Sequence, residues 1–337
     1  MQFLENISLR SFNTFGVDAK ARYFTECPGE ESLKEILEAL KPMVLPVLVL
    51  GGGSNILFTR DFHGVVIKMM NKGLSVISNE NDQILLEAGA GEVWDDLVAY
   101  TVDKGWSGLE NLSLIPGTVG ASPIQNIGAY GVEMKDAFHS LKAMDMTTGE
   151  TRNFTHAECK FGYRSSAFKH ELRGRFMILS VVFCLYRNKT PVISYDALRK
   201  ALEDRSITNP GIRDIREVVC EIRRRKLPDP EVTGNAGSFF KNPSVTPLLY
   251  EELRKSFPSM VAYPDQGQWK LAAGWLIEQC GWKGRQIGKA GVHKDQALVI
   301  VNHGGATGKE ILELSEKVQV SVFEKFGIML EREINVY

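Results

Sequence analysis

The residues able to do chemistry in this sequence fall into a few short motifs. Residues 51–55 read Gly-Gly-Gly-Ser-Asn and directly follow an apolar run. Three consecutive glycines let the backbone turn sharply and aim several N–H groups at one point, an anion nest suited to a pyrophosphate. A plain tight turn is the alternative. No Gly-Lys-Ser/Thr follows, so the run is not a Walker loop. A second glycine motif, Gly89-Ala90-Gly91, sits where a dinucleotide fingerprint would, but Trp94 stands where its third glycine belongs. Close helix–strand packing needs a small residue there, so a structural turn is expected. Residues 108–131 are rich in glycine and small side chains, yet Leu112, Leu114, Ile115, Ile124 and Ile127 keep the stretch apolar. Either an extended ligand lies along its backbone, or it is a buried irregular connection.

Charged and hydroxyl candidates are sparser. Arg164 follows Phe161-Gly162-Tyr163 and suits a carboxylate, which a guanidinium grips with two parallel bonds; an ordinary surface ion pair is the alternative. The cluster Arg223–Lys226 complements a helix C-terminus, and Lys226, beside Leu227-Pro228, is best placed to leave the helix and meet a ligand. Ser238 lies after Ala236-Gly237 and before Phe239-Phe240. The GxSxG pattern is missing, so a nucleophile elbow is excluded, and a proton-donating hydroxyl or a turn serine remain. Glu331 and Glu333 alternate in a strand-like tail and should share a face, one of them a buried acid or both solvated. His293 is flanked by a glycine-rich loop and Lys294, but no HxH or HExxH pattern occurs, so no metal site is expected.

The elements that must position these residues alternate first and then change texture. Leu33, Ile36, Leu37 and Leu40 mark one helical face; residues 44–50, 65–69, 84–87 and 176–186 read as strands, and Val93 to Thr101 as a helix. After Arg187 comes a main boundary near residues 188–208. Asn209-Pro210 looks like an N-cap and first helical proline, opening a helix with Ile212, Ile215, Val219 and Ile222 inward. A further helix is expected over 270–279, and a last one from the Thr307/Glu310 capping box to Phe326. A final strand over 329–337 ends the sequence.

The 337 residues suffice for two or three domains. Lys plus Arg (40) nearly cancels Asp plus Glu (41), which leaves no global basic field for nucleic acid or an anionic membrane. The five cysteines are scattered without a CxxC pair, reading as reduced thiols. The N-terminus lacks the pattern of a signal peptide, and no apolar run approaches the ~20 residues of a membrane span. A soluble cytoplasmic protein is expected.

Taken in order, GGGSNILF, NLSLIPGTVGASPIQNIGAYG, FGYRSSAFK, KLPDP, GNAGSFFKNP and LEREI resemble the motifs of the UDP-N-acetylenolpyruvoylglucosamine reductase family. The match runs from Asn13-Thr14-Phe15 to Glu333. The resemblance implies an α+β fold: an FAD-binding domain of the vanillyl-alcohol-oxidase (PCMH) type in two subdomains, residues 1–70 and 71–200. A C-terminal α+β substrate-binding domain covers 208–327, with 328–337 returning to the first subdomain. It implies FAD held by Gly51, Gly52, Gly53, Ser54 and Asn55, and by Pro116, Gly117, Gly120, Ala121, Ser122, Ile124, Gln125, Asn126, Gly128, Tyr130 and Gly131. Arg164, Ser238 and Glu333 match catalytic residues, and Tyr163, Tyr195, Lys226 and Asn242 substrate contacts. Tyr195 matches the tyrosine that closes over the sugar nucleotide in the type I branch. The one departure is Arg332, where many relatives carry proline between the two acids.

The implied reaction is NADPH-dependent, FAD-mediated reduction of UDP-N-acetylglucosamine enolpyruvate, a step of peptidoglycan precursor synthesis, by a monomer. Hydride adds to the vinyl carbon and charge moves onto the substrate carboxylate. Arg164 and Glu333 suit its stabilisation, and Ser238 suits protonation of the remaining carbon. Another flavin oxidoreductase on the same fold, such as an alcohol or sugar oxidase, and a non-catalytic nucleotide-binding protein are the competing readings.

Overall fold

The computed structural model describes residues 2–337. Two compact units emerge from its contacts: one of Ala21–Gly52, His63–Arg224 and the residues up to Ile7, the other of Ser8–Lys20, Gly53–Phe62 and Arg225–Tyr337.

In the first unit, a four-stranded sheet runs in the order Leu4–Ser8, Lys20–Cys27, Phe62–Met69, Val47–Leu50. The strand ahead of the glycine run is shorter than its apolar stretch suggests, and it is not wholly buried. It starts at Val47, pairs in parallel with Phe62–Met69 and occupies the sheet edge. Leu48 and Leu50 face inward while Val47 and Val49 are exposed, and Val44 is fully exposed. The helix Glu30–Leu40 buries the predicted Leu33, Ile36, Leu37 and Leu40.

A second, five-stranded sheet follows in the order Thr151–Thr155, Phe138–Asp145, Phe176–Tyr186, Gln83–Gly89, Leu74–Glu80. Its central strand Phe176–Tyr186 is antiparallel to both neighbours and buried along nearly all its length, which explains a sequence that is apolar except at Ser180. The helix Trp94–Asp103 buries Trp94, Leu97, Val98 and Thr101. The Gly89–Gly91 turn is a packing device: a Cβ on Gly91 would lie 2.7 Å from the Met70 carbonyl carbon.

Helices Asp196–Asp204 and Ile212–Lys226 share a small core of Leu198, Leu202, Ile215, Val218, Val219 and Ile222. The predicted start at Asn209-Pro210 is two residues early. Gly211 precedes the helix, its N–H bonded at 2.8 Å to the Asp214 carboxylate, so Asp214 does the capping and Pro210 stays outside.

The second unit is built from three separated pieces of chain. Its sheet runs Gly234–Ser238, Val299–Asn302, Ala290–Val292, Gln286–Ile287. Phe239, Phe240, Leu276, Ile277, Ile300, Leu314, Val318 and Val322 form the core together with Phe15, Val17 and Leu57 from the two N-terminal pieces. The helix Gly308–Phe326 begins with the predicted capping box, both arms of which are made, and ends at Gly327 with φ 68°. Two expectations shift. The helix over 270–279 starts at Ala273, because Gln268–Leu271 is a strand paired with Ala262–Asp265. The tail is regular strand only at Asn335–Val336, parallel to Ile56–Leu57.

Candidate active site

Glycines in the first unit bring two loops into backbone contact. A Cβ on Gly51 would fall 2.5 Å from Thr118 Oγ1, one on Gly52 2.8 Å from Gly117 Cα, and one on Gly120 2.5 Å from Ala90 Cβ. Only hydrogen at Gly51 and Gly52 lets the turn after Leu50 lie on Gly117 and Thr118, and only hydrogen at Gly120 lets that loop lie on Ala90. The N–H groups of Gly52, Gly117 and Thr118 have no acceptor among the described residues. The Lys68 ammonium donates to the Gly51 carbonyl, and burial pulls its pKa below the ordinary lysine value.

In the second unit, buried Gly53 has φ +66°, a Cβ there would lie 2.0 Å from the Phe12 carbonyl oxygen, and its N–H likewise lacks an acceptor. Buried backbone donors are seldom left unpaired without a ligand or water to take them.

The stretch 108–131 is held by side chains rather than by sheet pairing. Buried Asn111 donates to Tyr130 O at 2.9 Å and Val192 O at 2.8 Å. Asp95 accepts from the Leu114 N–H at 2.5 Å and takes a two-pronged grip from Arg216 at 2.7 and 3.0 Å. Arg223 Nε donates to Leu114 O at 3.1 Å. Leu114 and Tyr130 both adopt positive φ, 59° and 49°, a conformation costing a non-glycine residue about 1–2 kcal/mol. Burial pushes the Asp95 carboxyl up, but Arg216, the Leu114 N–H and Arg223 outweigh it and hold the group below the usual carboxylate range. Burial raises the Tyr130 phenol. Tyr195, 44% exposed, meets the Tyr130 ring edge-on at 5.4 Å between centroids and sits at the N-cap of helix Asp196–Asp204.

Arg164 lies on a two-residue turn closed by hydrogen bonds between Gly162 and Ser165, with φ +50°. Its Nη2 donates to Gly128 O at 2.6 Å and its guanidinium lies 5.3 Å from the Tyr163 ring centre. Asn126 anchors the turn: Nδ2 donates to Gly162 O and Glu133 Oε2, each at 3.0 Å, and Oδ1 accepts from the Lys135 N–H. The Asn126 amide is thereby engaged with protein on every side. Ser122 Oγ donates to Val119 O at 2.7 Å, and the Ile124 carbonyl accepts from Ser166 at 2.6 Å. Ala121 and Gly131 are exposed, as is Pro116, and Gln125 is half-buried.

Ser238 ends the strand Gly234–Ser238, opposite Val299. Its hydroxyl is half-buried and makes no hydrogen bond to a described residue. The next carbonyl, Phe239 O, accepts the Glu333 N–H at 2.9 Å, and the Lys241 N–H donates to Glu331 O at 2.9 Å. The two glutamates part company here: Glu331 is exposed and pairs with Lys241, while Glu333 is half-buried. Asn55 joins the same knot, its Nδ2 3.4 Å from Glu333 O and its carbonyl taking the Asn335 N–H at 3.1 Å. Ser54 is half-buried beside it. Asn242 Oδ1 accepts the Ala273 N–H at 2.9 Å, satisfying the first donor of helix Ala273–Gln279. Lys226 is exposed at the end of its helix. Burial pulls the His293 imidazole below its ordinary pKa, and no group of three metal-ligating side chains occurs among the described residues.

Sequence reasoning passed over Asp95, Asn111, Lys68 and Arg216. Asp95 and Arg216 lie on helical faces that read as ordinary solvated surface, and their partners are 121 residues apart. Only Asn111, an amide set between Glu110 and Leu112 in a loop rich in apolar residues, carried a readable signal.

The class of protein follows from the first family match: residues 21–155 match the FAD binding domain family, which makes the chain a flavin-dependent oxidoreductase. Residues 229–337 match the C-terminal domain of UDP-N-acetylenolpyruvoylglucosamine reductase. Reductases of that name from Pseudomonas putida and Flavobacterium johnsoniae are 51% and 48% identical, each covering 100% of this chain and 99% and 100% of the relative. The crystal structure of the reductase from Thermus caldophilus superposes with a TM-score of 0.71 at 26% identity, covering 100% of this chain and 99% of that one. The chain belongs to the UDP-N-acetylenolpyruvoylglucosamine reductase family, FAD- and NADPH-dependent oxidoreductases of peptidoglycan precursor synthesis.

Proposed function

We propose that this chain reduces UDP-N-acetylglucosamine enolpyruvate with Arg164, Ser238 and Glu333 as the reacting side chains. The observation that carries this reading is the Ser238 hydroxyl, without a hydrogen-bond partner among the described residues, next to the peptide that holds Glu333. Residues 51–55 and the positions of 116–131 that match the family's cofactor contacts would hold FAD, whose diphosphate suits the unpaired N–H groups. Bound FAD, reduced by NADPH, supplies the hydride. Arg164 stabilises the charge that develops on the substrate carboxylate, and its turn is stiffened by Asn126 so that little reorganisation is needed. Glu333 acts beside the same developing charge. Ser238 hands its proton to the adjacent carbon, an enolate being basic enough to take it from a hydroxyl at hydrogen-bond distance. Tyr163, Tyr195, Lys226 and Asn242 contact the sugar nucleotide.

The sheet around Phe62–Met69 and the sheet around Phe176–Tyr186 serve as the two FAD subdomains, 1–70 and 71–200; residues 208–327 bind substrate, and 328–337 rejoin the first. The enzyme works as a cytoplasmic monomer without nucleic acid or membrane partner. No helix among the described residues is long and apolar enough to cross a membrane, and the formal charge of -1 offers nothing to a polyanion. The test is the visible spectrum: NADPH should bleach the flavin bands and the enolpyruvyl sugar nucleotide should restore them. Colourless protein that takes up no FAD, or bleaching that only oxygen reverses, overturns the reading; the latter would favour an oxidase.

A further inference from the structure

We infer that Arg332 is a positioning residue for Glu333, acting through a tether to the helix Gly308–Phe326. The inference rests on the catalytic reading of Glu333. Along the tail, Lys241 N–H to Glu331 O and Glu333 N–H to Phe239 O, both 2.9 Å, flank an isolated antiparallel bridge between Phe240 and Arg332. Arg332 therefore occupies the narrow, non-hydrogen-bonded position, with its own N–H and C=O directed away from residues 239–241. Two ladder bonds hold a strand end weakly, and they leave its tilt to other contacts.

Those contacts come from one helix. Arg332 Nε donates to Ser315 Oγ at 3.1 Å, and Nη2 lies 3.5 Å from Glu316 Oε1. One turn on, Gln319 Nε2 donates to Leu330 O at 2.6 Å. Ser315 is fully buried, and its hydroxyl is itself oriented by donating to Leu312 O at 2.6 Å. The helix beneath is firm, with buried Ile311, Leu314, Val318, Val322 and Phe326, a completed capping box and a glycine stop. Neighbouring side chains of an extended segment point to opposite faces. Drawing Arg332 onto the helix thus commits Glu333 to the other face, with its backbone fixed to the peptide that follows Ser238. The guanidinium sets the angle of a carboxylate it does not touch.

Removing the tether should lower kcat and leave ground-state binding alone. Arg332→Ala should reduce kcat about tenfold, since small misplacements of a reacting group are costly, with KM and the bound-flavin spectrum unchanged. Arg332→Pro should retain most of the turnover: the N–H it deletes has no acceptor among the described residues, and the ring stiffens the backbone in the tether's stead. The deciding measurement is a double-mutant cycle on kcat. In a Glu333→Gln background, Arg332→Ala should cost nothing further. An equal loss in both backgrounds, or no loss in the native one, overturns the positioning role alone. Glu333→Gln with native turnover overturns the catalytic reading and this inference with it. Should Arg332→Ala fail to bind FAD, Ser315→Ala removes only the buried acceptor and carries the same cycle.

Discussion

Ser238 and Gly53 show two ways a single residue can be indispensable. For Ser238 the argument is chemical: its hydroxyl has no hydrogen-bond partner among the described residues and sits at the end of a strand whose backbone is fixed by Val299 and, one peptide on, by Glu333. Replacing it with alanine should lower kcat by about 10²–10⁴ while FAD stays bound with an unaltered spectrum; stopped-flow bleaching by NADPH should be normal and only reoxidation by substrate slow. For Gly53 the argument is steric. A Cβ would lie 2.0 Å from Phe12 O, at φ +66°, so Gly53→Ala should cost at least the ~1–3 kcal/mol of a strained backbone and lower flavin content per polypeptide after purification. Asn126 belongs to a third kind. The resemblance groups it with cofactor-binding residues, and its side-chain amide also bonds Gly162 O, Glu133 and the Lys135 N–H, so substitution should loosen the Arg164 turn.

Helices act here as clamps on irregular chain. Two arginines of helix Ile212–Lys226 reach the 108–131 stretch, Arg216 through Asp95 and Arg223 directly at Leu114 O. Asp95→Ala should therefore destabilise the protein by about 2–3 kcal/mol, less than the 3–5 of a deeply buried pair because both side chains are one-fifth to one-quarter exposed; urea unfolding measures it. The sign of the pH effect follows from the direction of the shift. The folded carboxyl lies below its ordinary 3.8, so the pair's contribution is fully present above about pH 4–5 and is lost as pH falls through the folded value. An Asp95→Ala variant should show no such loss in that window. At this scale sequence reading succeeded where local pattern decides, as in the faces of helices Glu30–Leu40 and Trp94–Asp103 and both ends of Gly308–Phe326. It failed where a distant partner decides. Residues 270–272 lie in and just beyond a strand because Ala262–Asp265 pairs with Gln268–Leu271, and Val47 faces outward because its strand is at a sheet edge, neither of which is written in the residues themselves.

For the molecule as a whole, the order of the pieces matters more than their number. The resemblance implies subdomains 1–70 and 71–200 and a domain 208–327, with 328–337 returning to the first; the contacts draw Ser8–Lys20 and Gly53–Phe62 together with Arg225–Tyr337. Such threading is invisible to periodicity, since Phe15 and Leu57 look like core residues wherever their core lies. It has a practical corollary for anyone dissecting the protein. Thr59 and Tyr337, 278 positions apart, share two hydrogen bonds of 2.7 Å, and closing so long a loop is slow. Residues 225–337 produced as a fragment should be unable to complete their interior, with the sites of Phe15, Val17 and Leu57 open to water. Circular dichroism of that fragment should report a loosely ordered chain, and adding a peptide of residues 8–62 should restore its near-ultraviolet signal. Cut near residue 225, the molecule should not yield two independently folded proteins.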